Sequence, residues 1–300
     1  MWTPKKILVP IDFSDDADLA VLHAVNIGRV YNSKIILFHV VSLFDNDPNN
    51  PDYHFPDVKE IYNKLEKIAA DNMQQVQQTH LKVDFDQVVV RGISPAEEIL
   101  IYEKENGIDL IVMGTHGRSG LRHFLIGSVA ERVIRNASCP VMSIRYHKEA
   151  ESFAPKVQRI LVPIDFSSYS RQTLSHAVDI ARHFNASLEI LHVIEEQVHP
   201  SYYVAGDISI FNLIPDLREK SLSALKEFTE KVITDDIEHT FHIREGRAHS
   251  EIARFAQDQE IDLIVIATHG LSGLEHFLIG STTEKVIRKV NQPVLAIKMK

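Results

Sequence analysis

At 300 residues, with 44% hydrophobic and 24% charged side chains, the chain has the length of two domains and the make-up of an ordinary globular protein. A formal net charge of −9, with no run of Lys or Arg against it, argues against non-specific binding to nucleic acid or anionic membrane. The single cysteine, Cys139, excludes an intrachain disulfide, and no stretch approaches the roughly 20 apolar residues that span a bilayer. The apolar run after Lys5 and Lys6 is interrupted at Pro10 and Asp12, too early for a secretory leader, so the cytoplasm is the expected location.

In chain order, Ile7 to Val9 and Ile35 to Val41 are short apolar runs without alternation, followed by Val88 to Val90, Leu110 to Met113 and Val141 to Ile144. Strands that bury both faces read this way, as in a parallel sheet covered by helices. Helical patterns lie between them. Asp15 to Tyr31 follows Ser14 as cap, with Asp15, Asp16 and Asp18 suited to the positive helix start. Val58 to Gln78 is a longer amphipathic stretch, and Pro95 to Glu105 opens with Ser94 as cap and Pro at the first position. Gly127 to Asn136 is the fourth helix.

The β-α-β-α-β-α-β-α-β order then returns from Ile160 to Ile297. Lys6–Ser14 recurs as Arg159–Ser167 with eight of nine residues identical, and Thr115–Ser128 recurs as Thr268–Ser281 with twelve of fourteen. The offset of 153 residues, shared by His23/His176, His39/His192 and Asp109/Asp262, is the length of a domain rather than of a solenoid repeat. Two domains are expected, 1–146 and 156–300, joined by the polar segment between Tyr146 and Lys156. Each is an α/β doubly wound parallel sheet, whose ligands sit beyond the carboxyl ends of the strands at the switch point. Both repeated motifs fall there, after strands one and four.

The pattern Gly114-x2-Gly117-x9-Gly127-Ser128 closes strand four, crosses a loop and opens a helix. Glycines admit close approach of phosphate oxygens to backbone N–H groups, and the helix start adds free donors and a positive dipole end. No Lys follows as in a Walker loop. Val-Pro-Ile-Asp after strand one, His-Val after strand two, the glycine pattern and Pro-Val before strand five together resemble the universal stress protein family in its tandem form. The resemblance covers both halves and implies five-stranded sheets of order 3-2-1-4-5, like adenine nucleotide alpha hydrolases, and, in one branch, bound ATP. By matching position it implies Asp12 and Val40 on the adenosine side, with Gly114, Gly117, Gly127, Ser128 and Val129 at the ribose and phosphates. In the second half the matches are Asp165, Val193, Gly270, Gly280, Ser281 and Thr282. Ala267 replaces the first glycine, which is harmless at an ordinary backbone angle and blocking at a positive φ, so the first site ranks ahead of the second.

Asp12 and Asp165 equally suit a cap or turn role, and a mixed role uses the same carboxylate oxygens. His116 and His269 read as loop anchors or phosphate neighbours; no histidine spacing, including that to His123 and His276, matches a structural zinc site. Magnesium riding on the nucleotide phosphates is a separate expectation. Thr115 and Thr268 suit hydrogen bonds within the loop, and Cys139 reads as a small buried residue with Gln292 at the matching place. Arg118 and Arg122 become Leu271 and Glu275 in the copy, a difference that fits either phosphate attraction in the first half or surface drift. Phe211, Leu213 and Ile214, in the segment from Glu195 to Asp216, suit an ordered surface loop, a partner contact or a cap on the site. The apolar last strands suit pairing across a two-fold axis, giving an internal pseudo-dimer, with a homodimer as a further option.

The expected function is therefore that of a cytoplasmic stress-response regulator or sensor binding ATP. No positioned general base, arginine finger or γ-phosphate lysine is evident, so any hydrolysis should be slow. A non-nucleotide interaction scaffold is the alternative of another class. An adenylyl-transferring or ATP-cleaving enzyme is a third.

Overall fold

The computed structural model describes residues 2–42, 58–79, 85–116, 126–146, 156–195, 209–234, 236–269 and 279–298. Gly117, Gly270, Arg118, Arg122, Leu271, Glu275, His123, His276 and the expected linker 147–155 lie outside the described residues. The chain divides into two compact units, Thr3–Pro155 and Lys156–Lys300, with Met1–Trp2 grouped with the second. Trp2 belongs there because its N–H donates to Asp179 Oδ2 at 2.6 Å and its ring lies 5.9 Å from that of His176.

The first unit runs β1 (Lys6–Pro10), α1 (Asp15–Tyr31), β2 (Lys34–Val41), α2 (Val58–Thr79), β3 (Phe85–Arg91), α3 (Pro95–Asn106), β4 (Leu110–Gly114), α4 (Ser128–Asn136) and β5 (Val141–Ile144). All strand pairs are parallel, in the order β3-β2-β1-β4-β5. Ile7, Leu8 and Val9 have no exposed surface, as strands covered on both faces require. Register brings Ile7 opposite Ile35 on one side and Leu110 on the other, so β1 and β4 are neighbours whose ends open together.

The second unit repeats this with β6 (Arg159–Pro163), α5 (Ser168–Phe184), β7 (Ser187–Ile194), α6 (Ile210–Leu213), α7 (Leu217–Thr229), β8 (His239–Glu245), α8 (Ala248–Asp258), β9 (Leu263–Ala267), α9 (Ser281–Lys289) and β10 (Val294–Ile297). Its order, β8-β7-β6-β9-β10, is that of the first sheet. The duplicated aspartates have a structural use: Asp109 Oδ2 accepts the Lys5 and Lys6 N–H groups at 2.8 and 2.9 Å, and Asp262 Oδ2 does the same for Gln158 and Arg159. Each pins the start of the central strand to the start of its neighbour.

Ser14 caps α1 as expected, accepting the Ala17 N–H, and Ser167 accepts the Ser170 N–H at the start of α5. Ser94 precedes α3 but makes no side-chain cap bond; its hydroxyl accepts from Arg132 at 3.3 Å instead. Gly127 stands as the cap of α4, whose first helical residue is Ser128. Of the apolar residues expected in the 195–216 segment, Phe211 and Ile214 fall in and after α6, and residues 196–208 lie outside the described residues. Cys139 is buried, and burial beside Glu103 pushes its thiol well above the usual range, which suppresses thiolate chemistry.

Candidate functional site

At the carboxyl end of β1 the chain turns through Ile11, Asp12, Phe13 and Ser14 into α1. Asp12 Oδ1 accepts the Ser14 N–H at 3.1 Å and the Ser14 hydroxyl at 2.6 Å, an Asx turn that seats the cap. The mixed role is thus present: the carboxylate shapes the turn while lining the space beyond it. Phe13 takes φ 63, a left-handed conformation that costs a non-glycine residue roughly 1 kcal/mol or more. His39, on β2, holds the turn from the other side. Its Nδ1 lies 2.7 Å from the Ile11 carbonyl, and its ring is 4.8 Å from that of Phe13. The second unit repeats each detail, with Phe166 at φ 63 and His192 Nδ1 2.8 Å from the Ile164 carbonyl. The duplicated histidines 39 and 192 are clamps on the strand-to-helix turn. Their recurrence signalled importance without revealing this use.

After β4, Thr115 N–H donates to the Ile144 carbonyl at 2.8 Å, and the Thr115 carbonyl accepts the Gly127 N–H at 2.8 Å. The Gly127 N–H is therefore not one of the free donors expected at the helix start. Those donors begin one residue later: the N–H groups of Ser128, Val129 and Ala130 take no partner among the described residues, while Glu131 N–H bonds back to the Gly127 carbonyl. Glycine suits position 127 because of close approach: a Cβ would stand 3.0 Å from the Thr115 carbonyl oxygen, so the loop would have to give by a few tenths of an ångström.

Between these two ends lies a cleft of about 300 Å³. Asp12, Val40, Gly114, Gly127, Ser128 and Val129 all line it, with Ile11, Ile99 and Met113 making its apolar wall. Gly117 falls outside the described residues. The matching cleft of the second unit is lined by Asp165, Val193, Gly280, Ser281 and Thr282, together with Ala267, and measures about 430 Å³. Ala267 has an ordinary backbone angle, so its methyl group does not close the space. Glycine at 114 answers a different demand: a Cβ there would lie 2.7 Å from the Asp16 Cβ at the start of α1.

Two further residues were not foreseen. Glu195 lines the second cleft and its Oε1 accepts the Ala248 N–H at 2.8 Å, capping α8. Asp16, expected to serve the positive end of α1, is instead buried; its Oδ1 accepts the Tyr146 N–H at 2.9 Å and its Oδ2 lies 3.7 Å from His116 Nδ1. Burial raises the Asp16 carboxyl above its ordinary range, opposed by the Tyr146 N–H, His116 and Arg145. Thr115 and Thr268 hydroxyls each lie 3.0 Å from the Nδ1 of the following histidine, the expected bonds within the loop. Among the described residues no group of three or more His, Cys, Asp or Glu is placed to hold a metal ion, and no helix is long and apolar enough to cross a membrane.

The cleft lies at the switch point of a doubly wound sheet, with a carboxylate at one end and a helix start at the other, the place where α/β domains of this class hold their ligands. The universal stress protein family model matches residues 3–145 and again 156–298, so the chain belongs to that family, in tandem form. A universal stress protein of Mycolicibacterium smegmatis is similar over nearly the whole length, 25% identical across 97% of this chain and 96% of that one. One from Methanocaldococcus jannaschii, MJ0531, is 33% identical over 148 residues, covering 48% of this chain and 84% of its own. Among solved structures, a universal stress protein from Archaeoglobus fulgidus shares the fold with a TM-score of 0.72, at 21% identity over 98% of both chains.

Proposed function

We propose that each half binds an adenine nucleotide, with ATP the first candidate, and that the protein acts in the cytoplasm as a nucleotide-dependent regulator of the stress response. The observation that carries this reading is the convergence of Asp12 and Val40 with Gly127, Ser128 and Val129 on a single cleft at the ends of β1, β2 and β4. The residues suit the group. Ile11, Val40, Ile99 and Met113 form an apolar slot for a flat base. Asp12, held by Ser14, offers a carboxylate to ribose hydroxyls or a base amino group. The N–H groups of Ser128, Val129 and Ala130, with the helix dipole behind them, face the place where phosphates belong.

Asp12 is engaged in its turn, and the cleft has no lysine or arginine among its lining residues. Magnesium would come with the phosphates rather than from a protein cage, a common arrangement for this ion. Hydrolysis is accordingly expected to be slow, which suits a sensor that reports bound nucleotide. The experiment is equilibrium dialysis of the full chain against ATP. Saturable binding near one or two ATP per chain supports the reading; no binding at millimolar ATP would transfer the role to an interaction scaffold.

A further inference from the structure

The second cleft carries a carboxylate that the first does not. Glu195, just past the end of β7, lines it, and its Oε1 accepts the Ala248 N–H at 2.8 Å. Both members of that bond are missing from the first unit. At the 153-residue offset, Ser42 stands in place of Glu195, and Pro95, which has no N–H, in place of Ala248. Pro95 lines the first cleft, whereas Ser42 is not among its lining residues. The acceptor and the donor that aims it have changed together.

Neighbouring residues fix where in the cleft Glu195 stands. Ile164, Val193, Ile252 and Ile266 line the second cleft and form its apolar slot, as their counterparts do in the first. Glu195 follows Val193 by two residues, and Ala248, to which it is tied, precedes Ile252 by one turn of α8. The carboxylate therefore stands beside the slot, where a flat base would show its edge. A carboxylate offers about four acceptor positions and no donor. Among the described residues the Ala248 N–H is the one hydrogen bond Glu195 receives, so Oε2 is left to a donor from the ligand. A phosphate there would meet like charge; a base N–H would be welcome. Because Glu195 is exposed, that N–H replaces water, and the gain is that of one charge-assisted hydrogen bond at a wet rim.

We propose that Glu195 is a specificity-determining residue of the second cleft, accepting an N–H from the edge of a purine base, and that the first cleft lacks this contact. The proposal rests on reading the clefts as nucleotide sites. It makes them unequal in what they select: the second favours a base with a donor edge, such as the amino group of adenine, through a side chain the first does not have.

The test uses the full chain and two probes that differ in one group: ATP, and purine riboside triphosphate, whose base has hydrogen where adenine has its amino group. Calorimetric titrations resolved by site compare wild type with Glu195→Ser, which installs the residue of the first unit. The preference for ATP over the analogue at one site per chain is expected to be about tenfold greater in wild type than in Glu195→Ser, the worth of a hydrogen bond to a charged group. The loss should come from weaker ATP binding, with the analogue bound as before. Glu195→Gln, which keeps an acceptor for the Ala248 N–H and removes the charge, should lose most of the same preference. Equal weakening of both probes in Glu195→Ser, the mark of a lost helix cap alone, overturns the proposal while leaving the nucleotide reading intact, as does an ATP preference that survives both substitutions. Absence of binding of either probe, in wild type and variants alike, overturns both.

Discussion

Gly114 and Ala267 show how one methyl group sets the surroundings of each cleft. Gly114→Ala places a Cβ 2.7 Å from the Asp16 Cβ and 3.0 Å from its carbonyl carbon, so α1 must shift. Overpacking of that kind costs about 1–3 kcal/mol, visible as a lower thermal midpoint of the first unit. The reverse change, Ala267→Gly, needs no rearrangement and should cost only about 0.5–1 kcal/mol of backbone entropy. Asp16 carries a stability consequence of its own. Its carboxyl is raised above the ordinary carboxylate range, chiefly by burial, so the ionised form is disfavoured in the folded protein. Its contribution to stability is fully present below the unfolded value and is lost as pH rises through the raised folded value. Asp16→Asn should therefore melt at a higher temperature than wild type at neutral pH, with the difference narrowing as pH falls toward 3.8. An unchanged difference across that range would show that burial of the charge is not the cause.

At the scale of elements, the ends of helices carry the informative differences. Gly107 ends α3 at φ 60, whereas the matching Glu260 after α8 is forced to φ 49. Glu260→Gly removes that strain and should stabilise the second unit by about 1 kcal/mol, measured by chemical denaturation. At α5, Ser167→Ala removes the acceptor of the Ser170 N–H, 3.1 Å away, and should cost about 1 kcal/mol. It also releases the hydroxyl that holds Asp165 at 2.6 Å, so affinity at the second cleft should fall with it. The central strands were legible because burial on both faces leaves an unbroken apolar run, as in Leu110 to Met113. Strand β3 was read short, as Val88 to Val90, because its first half carries Asp86 and Gln87; pairing with β2 extends it to Phe85 all the same. Ser14 was legible as a cap from its place before three acids. Ser94 looked equally good, but its hydroxyl answers Arg132. Asp16 meeting His116 was beyond the sequence, since local pattern says nothing about residues 100 positions apart whose meeting depends on how closely α1 approaches β4.

For the whole molecule, duplication is the governing fact, and it was plain in the two repeated motifs. Repetition of the Asp109 and Asp262 pins, the His39 and His192 clamps and the two left-handed phenylalanines shows that each unit carries its own complete set of devices for shaping its cleft. Site residues drawn from the family resemblance gather on the clefts wherever they are described, because they come from strand ends that the topology brings together. The most direct measurement is the number of ATP molecules held per full chain by equilibrium dialysis, compared with a Gly127→Val variant, whose side chain would be forced against the Thr115 carbonyl beside the cleft. Saturable binding in wild type, with the variant losing the site of the first unit and keeping that of the second, is the predicted result. Equal binding by the two folded proteins, or none by either, would contradict the assignment of these clefts to nucleotide.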